Sequence, residues 1–381
     1  MTDALAVNTA ACHGVLREYR QMQKRSGKAD SKSNSWLMEL GDWILDCIGA
    51  KEDEQGFWQG WESEQMPEGK GEIERLGHMC RTSAREHTKR CESGEISKES
   101  AMMYNCYSKS LKDPRDVELE TYDSHLDGKT EDLQTSEKVF EIHFKRPLRS
   151  LLLECAKELG SNKRLVVADV GCGNGRVLEF TAEVMKEANC EFRLIAIDPS
   201  ERAQELCKER LMGRKKTETI VTGATLEDVC SGRVKELSEL RSDETLVILM
   251  KGVLHDRSIE WDEESQEMGE GVYRDKDWNR ISKERIIKDL TMRLNGLRRY
   301  QEQSRLIIME SHLVSREWIR KLLKVTPLMP AYIGHAITAQ YLISANDHLQ
   351  GIKACKWGIK KFERLCQLDT EEAIMTITSL E

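Results

Sequence analysis

The sequence predicts a doubly wound α/β fold, in which helices cover both faces of a mainly parallel sheet, and three observations support this prediction. From about residue 118, short runs of β-branched and aliphatic residues alternate with longer stretches of helical periodicity. One such run leads into a glycine-rich turn, and the following run ends in an aspartate. The order of strand, glycine turn, helix, strand and acid is typical of nucleotide-binding α/β folds.

Residues 1–117 differ in composition and are predicted to form a mostly helical accessory region, or lid, ahead of an α/β domain at 118–381. Trp36, Leu40 and Trp43 have the spacing of one face of a helix, and further aromatic residues follow it. The sequence leaves open whether these tryptophans only dock the region on the main domain or close over a substrate.

The alternation predicts six strands, separated by helices. The predicted strands are 165–170, 192–197, 218–221, 246–250, 306–309 and 375–378. The predicted helices are 137–159, 176–189, 200–212, 226–240, 281–302 and 345–367. A stretch rich in acids and glycine, at about 258–280, follows the fourth strand and is predicted to be an insertion, either a surface loop or a flap over a site.

Composition limits the classes of function. The 58 Lys and Arg residues against 66 Asp and Glu residues give a net charge of −8, which argues against a nucleic-acid-binding surface. The apolar runs are far shorter than the ~18 residues of a membrane span, and the N-terminus lacks the pattern of a secretory leader, so a soluble cytoplasmic protein is expected. The 12 cysteines form no CxxC pair and are predicted to be reduced thiols.

The strongest local signal is the segment VADVGCGNGRVLEF, which begins at Val167. Its alternate glycines allow a sharp backbone turn and leave room for a ligand. The charge of Asp169, just before them, would repel a pyrophosphate but would attract a cationic group. Asp198 ends the next strand, where its carboxylate can accept hydrogen bonds from two ribose hydroxyls. The predicted cofactor-binding residues are Asp169, Gly171, Cys172, Gly173, Asn174, Gly175, Asp198 and Pro199.

Through this segment and the later AIDPS, the sequence resembles the class I S-adenosylmethionine-dependent methyltransferases. The resemblance implies a Rossmann-like methyltransferase sheet and S-adenosylmethionine as cofactor. It places Asp169, Gly171 and Gly173 near the methionine moiety and Asp198 near the ribose. Ala224 stands where an aspartate that binds the adenine amine is common, so adenine contacts are expected to come from backbone groups.

Histidines follow two of the predicted strands. Ligands of open α/β sheets bind outside the carboxyl ends of the strands. His255 follows the fourth strand, His312 follows the fifth, and His335 lies beyond a loop that contains two prolines. A neutral imidazole there could accept a proton from a methyl acceptor, so these three are the candidate catalytic residues.

Over about residues 120–350 the chain is similar to the apratoxin-type methyltransferase domains of polyketide synthases. Those domains methylate acyl chains carried as thioesters, and some members hold one iron or manganese ion. The residues that match the polar positions of that pocket are His255, His312, His335 and Gln340. Leu254 and Ala339 stand where the family has acids, so a pocket without a metal is expected. Arg257 and Tyr341 are predicted to contact the substrate.

The resulting hypothesis is methyl transfer to a small acyl, carboxylate or hydroxy-acid acceptor in specialised metabolism, without a nucleic-acid or membrane partner. His255 or His335 would be the base, and His312 or Gln340 would orient a carbonyl or carboxylate group. One alternative is methylation of a thioether hydroxy acid, as in sulfonium osmolyte synthesis, which needs no base. The other is a catalytically silent cofactor-binding module that acts as an interaction partner.

Overall fold

The computed structural model describes residues 8, 12, 16, 32–48, 137, 139–159, 163–212, 217–257, 259, 271–275, 279–323, 325, 328–337 and 340–381. The chain divides into two compact units. The first unit is built from Met1–Thr121, Glu260–Glu284 and Val314–Leu342. The second unit is built from Tyr122–Ile259, Arg285–Leu313 and Ile343–Glu381.

The second unit contains a seven-stranded mixed sheet. Its strands are β1 (Arg164–Val170), β2 (Phe192–Ile197), β3 (Glu218–Thr222), β4 (Glu244–Lys251), β5 (Ser304–Ser311), β6 (Ile359–Gln367) and β7 (Ala373–Leu380). They lie in the order β3-β2-β1-β4-β5-β7-β6. Neighbours among β1 to β5 run parallel, whereas β7 is antiparallel to both β5 and β6. The strand order reverses between β1 and β4, which is where a doubly wound sheet forms its ligand crevice.

Helices connect these strands and build the first unit. They are α1 (Lys32–Ile48), a π-helical turn (Phe140–Phe144), α2 (Lys145–Glu158), α3 (Arg176–Glu187), α4 (Glu201–Met212), α5 (Leu226–Ser231), α6 (Lys235–Ser238), α7 (Lys283–Leu297), a 3₁₀ helix (Arg298–Gln303), α8 (Arg316–Leu322), α9 (Met329–Ile337) and α10 (Ala345–Ala354). No helix among the described residues is both long and apolar enough to cross a membrane.

The core of the second unit lies between one face of the sheet and the helices before and after β1. Val167 of β1 and Leu249 of β4 are fully buried on this face, together with Phe144 of the π-helical turn, Leu148 of α2 and Leu178 of α3. Because side chains alternate along a strand, every second residue of β1 and β4 points to the same helical layer.

The predicted doubly wound fold is confirmed, and the six predicted strands correspond to β1–β5 and β7. The prediction of one helix over 345–367 is wrong, because α10 ends at Ala354 and the following residues form β6. The sequence of β6, IKKFERLCQ, is rich in residues that favour helices, but pairing with β7 at the sheet edge overrides this preference. The predicted helix over 226–240 is also interrupted, because Gly232 adopts φ 74° and ends α5.

In the first unit, α1 confirms the helix that was predicted around Trp36, whose side chain is 1% exposed. Asp46 near the end of α1 forms an ion pair with Arg316 at the start of α8. The aromatic residues at 57–61, and most of the predicted insertion at 258–280, lie outside the described residues.

Candidate active site

A glycine loop joins the carboxyl end of β1 to α3. Gly171, Gly173 and Gly175 have φ values of 71°, 51° and 79°, in the left-handed region that other residues rarely adopt. A Cβ atom on Gly171 would lie 2.4 Å from Val253 Cγ2. The amide of Gly171 donates to the carbonyl oxygen of Ile197, at the end of β2, over 2.8 Å. The loop is thereby fastened to β2, and its conformation requires glycine.

Asp198, directly after β2, holds the same loop through its side chain. Its Oδ2 atom accepts a hydrogen bond from the amide of Gly173 at 2.9 Å, and Oδ1 accepts one from the amide of Ser200 at 3.0 Å. Each carboxylate oxygen has two lone pairs, so Asp198 keeps the capacity to accept hydrogen bonds from a ligand. Pro199 beside it is exposed, and Cys172 within the loop is buried.

Asp169 lies two residues before the first glycine and is 1% exposed. Among the described residues, neither of its carboxylate oxygens has a hydrogen-bond partner. Burial raises the pKa of Asp169 well above its usual value, the charge of Lys251 opposes this rise, and that of Asp198 adds to it. A buried carboxylate without donors is costly, and a bound cation would relieve that cost. Asp169 therefore fits the α-ammonium group of S-adenosylmethionine.

Acidic side chains from the segment before α2 lie beside the glycine loop. The amide nitrogen Nδ2 of Asn174 donates to Glu137 Oε1 at 3.2 Å, and Arg210 of α4 pairs with the same carboxylate at 3.4 Å. Arg176, the first residue of α3, pairs with Glu141 in the π-helical turn. The π-helical turn therefore borders the glycine loop, and such turns are frequent at functional sites.

The loop after β3 contains Ala224 at the position where an adenine-binding aspartate is common in the methyltransferases that the sequence resembles. The nearest acid along the chain, Asp228, closes a capping box at the start of α5: its Oδ2 accepts from the amide of Thr225 at 2.9 Å. This backbone hydrogen bond, then a side-chain hydrogen bond with Arg233, lower the pKa of Asp228. The carboxylate of Asp228 is thus occupied by hydrogen bonds at the start of α5.

A histidine and a glutamate meet at the ends of β4 and β5. His255 Nδ1 lies 2.7 Å from Glu310 Oε2. The other oxygen of Glu310 accepts hydrogen bonds from the amides of Val253 and Leu254, at 2.9 Å and 2.8 Å. Glu310 therefore holds both the imidazole ring and the backbone turn that carries it. When Nδ1–H donates to Glu310, Nε2 is the ring nitrogen that can take a proton.

His255 and Glu310 stabilise each other's charged forms, although both side chains are largely buried. Burial alone would lower the pKa of His255, but the charge of Glu310 and its hydrogen bond raise that pKa above 6.5. For Glu310, burial would raise the pKa, but the charge and hydrogen bond of His255 lower it to about 2. A base that is oriented by a carboxylate is a recurring catalytic arrangement.

His312, directly after β5, occupies a different and fully buried environment. Its Nδ1 lies 3.2 Å from the carbonyl oxygen of Ile343 and its Nε2 lies 2.7 Å from Thr376 Oγ1. Burial, and then the charge of the nearby His348, lower the pKa of His312 to about 3. Both ring nitrogens of His312 are used by the fold.

Arg257, a predicted substrate contact, is also buried. Its Nε donates to Asp289 Oδ2 at 2.5 Å, and its guanidinium donates to the carbonyl oxygen of Ile286 at 3.0 Å. The guanidinium of Arg257 thus ties the turn after β4 to helix α7.

The first unit holds the other three predicted site residues, which are His335, Gln340 and Tyr341. His335 lies in α9 and is partly buried, and the amide of Gln340 donates to its carbonyl oxygen at 2.8 Å. The hydroxyl of Tyr341 donates to the carbonyl oxygen of Arg274 at 3.0 Å.

Metal-ligating side chains do not cluster in the part of the chain that the structure describes. No group of three or more His, Cys, Asp and Glu side chains with the geometry of a metal site occurs there. His255 and Glu310 supply two groups of this kind, but they bind each other.

Glu310 and Lys251 were not among the predicted site residues. Both are charged residues at the carboxyl end of an otherwise apolar, buried strand, in the sequences LVILMK and LIIMES. A charge at that end of a parallel strand is the signal that could have found them, because ligands bind there.

Comparisons with known proteins identify a family and a fold. A family model described as AprA MT2-like domain matches residues 124–367. The fold is similar to that of the CurJ carbon methyltransferase, at 12% identity and a TM-score of 0.52, over 99% of this chain and 90% of that one. It is also similar to the CMeT domain of the citrinin polyketide synthase, at 10% identity and a TM-score of 0.51, over 100% and 90%.

A third similar structure is the trans-methyltransferase CalH in complex with SAH, at 11% identity and a TM-score of 0.50, over 99% of this chain and 90% of that one. At these identities the similarity shows the fold. No curated protein sequence matches the chain.

Proposed function

Since the chain belongs to the AprA MT2-like family and is an S-adenosylmethionine-dependent methyltransferase, we propose that its methyl acceptor is an acidic carbon atom next to a carbonyl group of an acyl compound. The observation that carries this proposal is the hydrogen-bonded pair of His255 and Glu310 at the ends of β4 and β5. Methyl transfer to such a carbon requires removal of a proton, and an imidazole oriented by a carboxylate can act as the base.

The cofactor is proposed to bind along the glycine loop. Asp169 would accept hydrogen bonds from the α-ammonium group, because its buried oxygens have no hydrogen-bond donor among the described residues. The glycines at 171, 173 and 175 would let the ligand approach the backbone. Asp198 would accept hydrogen bonds from the ribose hydroxyls while it holds the loop. S-Adenosylmethionine supplies the electrophilic methyl group and leaves as S-adenosylhomocysteine.

The side chains of this protein then have distinct tasks. His255 Nε2 takes the proton from the acceptor carbon, and the resulting carbanion forms the new bond to the methyl carbon as the bond from that carbon to sulfur breaks. Glu310 fixes the tautomer of His255 and stabilises the imidazolium that forms. Alignment of the two reactants and exclusion of water supply the remaining rate acceleration.

The proposed base argues against a thioether as the acceptor. A thioether has no proton to lose, so His255 and Glu310 would have no chemical task in its methylation. The CurJ structure is described as a carbon methyltransferase, and the citrinin domain is part of a polyketide synthase, which supports an acyl carbon as acceptor. We keep Gln340 and Tyr341 as proposed substrate contacts, and we propose the same role for His335, which the sequence indicates as a candidate base. We propose structural roles for His312 and Arg257.

The proposal is tested by incubating the protein with methyl-labelled S-adenosylmethionine and a set of acceptors. The set contains a 3-oxoacyl thioester, the matching free acid, a hydroxy acid and a thioether hydroxy acid. Mass spectrometry of fragments then locates the label. We expect the label on the carbon between the two carbonyl groups of the thioester. A label on the thioether sulfur or on an oxygen would contradict the proposed acceptor, and no transfer to any acceptor would favour the silent module.

A further inference from the structure

Two residues of opposite charge lie on the same face of the sheet at the point where the strand order reverses. β1 and β4 are parallel neighbours, and Asp169 of β1 is opposite Leu249 of β4. Lys251 is two residues further along β4, so alternation places its side chain on the face that carries Asp169. Asp169 is 1% exposed, whereas Lys251 is partly buried.

The charge of Lys251 acts on carboxylates on several sides. Burial lowers the pKa of Lys251, whereas the charges of Asp169, Glu310 and Glu137 oppose this effect. Burial also disfavours the ionised form of Asp169, and Lys251 is the group that opposes it. Burial therefore disfavours the charged form of each residue. A ligand that carries both a positive and a negative group would stabilise the charged forms of both residues.

Two further cations beside the glycine loop are held by acids. Arg176 pairs with Glu141 and Glu179, and Arg210 pairs with Glu179 and Glu137. These pairs keep both guanidinium groups in the layer of α3, α4 and the π-helical turn. Lys251 lies at the end of β4, on the face of the sheet that carries Asp169.

We propose that Lys251 binds the α-carboxylate of the methionine moiety, so that Asp169 and Lys251 together recognise the zwitterionic amino-acid end of the cofactor. This inference rests on the cofactor site proposed above and adds the group that pairs with the carboxylate. The ammonium group bonds to Asp169 and the carboxylate bonds to Lys251, so that each of these two residues gains a partner of opposite charge from the ligand. Specificity for ligands that carry an intact amino acid follows.

The test compares three ligands by calorimetry. S-Adenosylhomocysteine carries the whole amino acid, its decarboxylated analogue keeps only the ammonium group, and 5′-methylthioadenosine lacks both groups. Lys251→Met and Lys251→Gln are compared with the wild-type protein. Lys235→Met is the matched control, because Lys235 is an exposed lysine in α6.

The wild-type protein should bind the decarboxylated analogue at least about tenfold more weakly than S-adenosylhomocysteine. Both Lys251 variants should bind S-adenosylhomocysteine at least about tenfold more weakly, should distinguish it from the decarboxylated analogue by less than about twofold, and should bind 5′-methylthioadenosine as the wild type does. The Lys235 variant should match the wild type with every ligand.

Equal affinity of the wild-type protein for S-adenosylhomocysteine and its decarboxylated analogue would overturn the inference, whatever the variants do. Lys251 variants that still distinguish these two ligands as the wild type does would overturn it as well. The proposed cofactor site is tested separately with Asp169→Asn. This variant should bind S-adenosylhomocysteine more weakly whether or not Lys251 binds the carboxylate of the ligand.

Discussion

At the scale of single residues, Glu310 determines what His255 can do. One oxygen of its carboxylate orients the imidazole and the other accepts two amides of the turn that carries it. The same carboxylate raises the pKa of His255, which makes the imidazole a stronger base but keeps more of it protonated near neutral pH. A general base must be neutral to accept a proton, so in the proposed mechanism the pH dependence of methyl transfer is determined by Glu310.

The rate of methyl transfer should therefore rise with pH through a pKa above 6.5 and then level off. In Glu310→Gln the negative charge that raises this pKa is absent, so the rising limb should move to lower pH. The maximal rate should fall, because glutamine orients the ring less firmly. The measurement is a pH–rate profile at saturating substrate, with the exposed Glu239→Gln as control. An unchanged limb in Glu310→Gln would show that another group titrates.

His312 should behave as a structural residue. Its low pKa, about 3, keeps it neutral at physiological pH, and both ring nitrogens take part in buried hydrogen bonds, with Ile343 and with Thr376 of β7. His312→Ala would leave the buried hydroxyl of Thr376 without this partner, so it should lower the free energy of unfolding by about 1–3 kcal/mol. The rate per folded molecule should stay within about threefold of wild type, whereas a larger fall in rate without a loss of stability would give His312 a chemical role.

At the scale of elements, the parts of the site that the sequence predicts are those determined by local chemistry. The turn from β1 to α3 needs three residues with positive φ, and only glycine adopts that conformation readily, so the motif is visible in the sequence. The pair of His255 and Glu310 depends on two strands that become neighbours only in the folded sheet. Strand β6 depends on pairing with β7, so neither feature has a local signal of its own.

The amino end of the sheet should be sensitive to acid. Arg193 of β2 and the first residue of β4, Glu244, form two hydrogen bonds, at 2.8 Å and 2.9 Å. The hydrogen bond with Arg193 lowers the pKa of Glu244 to about 2, although burial opposes this shift. Because the folded-state pKa lies below the usual 4.5, the stabilisation is present above that pH and is lost as the pH falls toward 2.

Glu244→Gln should accordingly lower the free energy of unfolding at pH 7 by about 3–5 kcal/mol, because it leaves the buried charge of Arg193 unpaired. Between pH 5 and pH 3 the variant should lose less stability than the wild type. Urea unfolding at several pH values measures both effects. Parallel pH dependence in the two proteins would show that Glu244 ionises in the folded state as it does in the unfolded chain.

At the scale of the whole molecule, the second unit contains both the proposed cofactor residues and the proposed base. The glycine loop, Asp198 and the pair of His255 and Glu310 all lie at carboxyl ends of its parallel strands. The family model covers residues 124–367 and so includes this arrangement. The division into an accessory region at 1–117 and a methyltransferase domain at 118–381 stays a prediction, as does the lid function of the first part.

The central claim is that methyl transfer in this protein depends on proton removal by His255. The most direct measurement is single-turnover methyl transfer to the acceptor by His255→Ala, alongside calorimetry of S-adenosylhomocysteine binding. The control is His143→Ala. The ring of His143 contacts Cys366 at 3.1 Å, and Cys366 belongs to β6, the edge strand of the sheet. We predict that His255→Ala binds S-adenosylhomocysteine within about threefold of wild type and transfers the methyl group roughly 10²–10⁴-fold more slowly. A transfer rate within about threefold of wild type would contradict the claim.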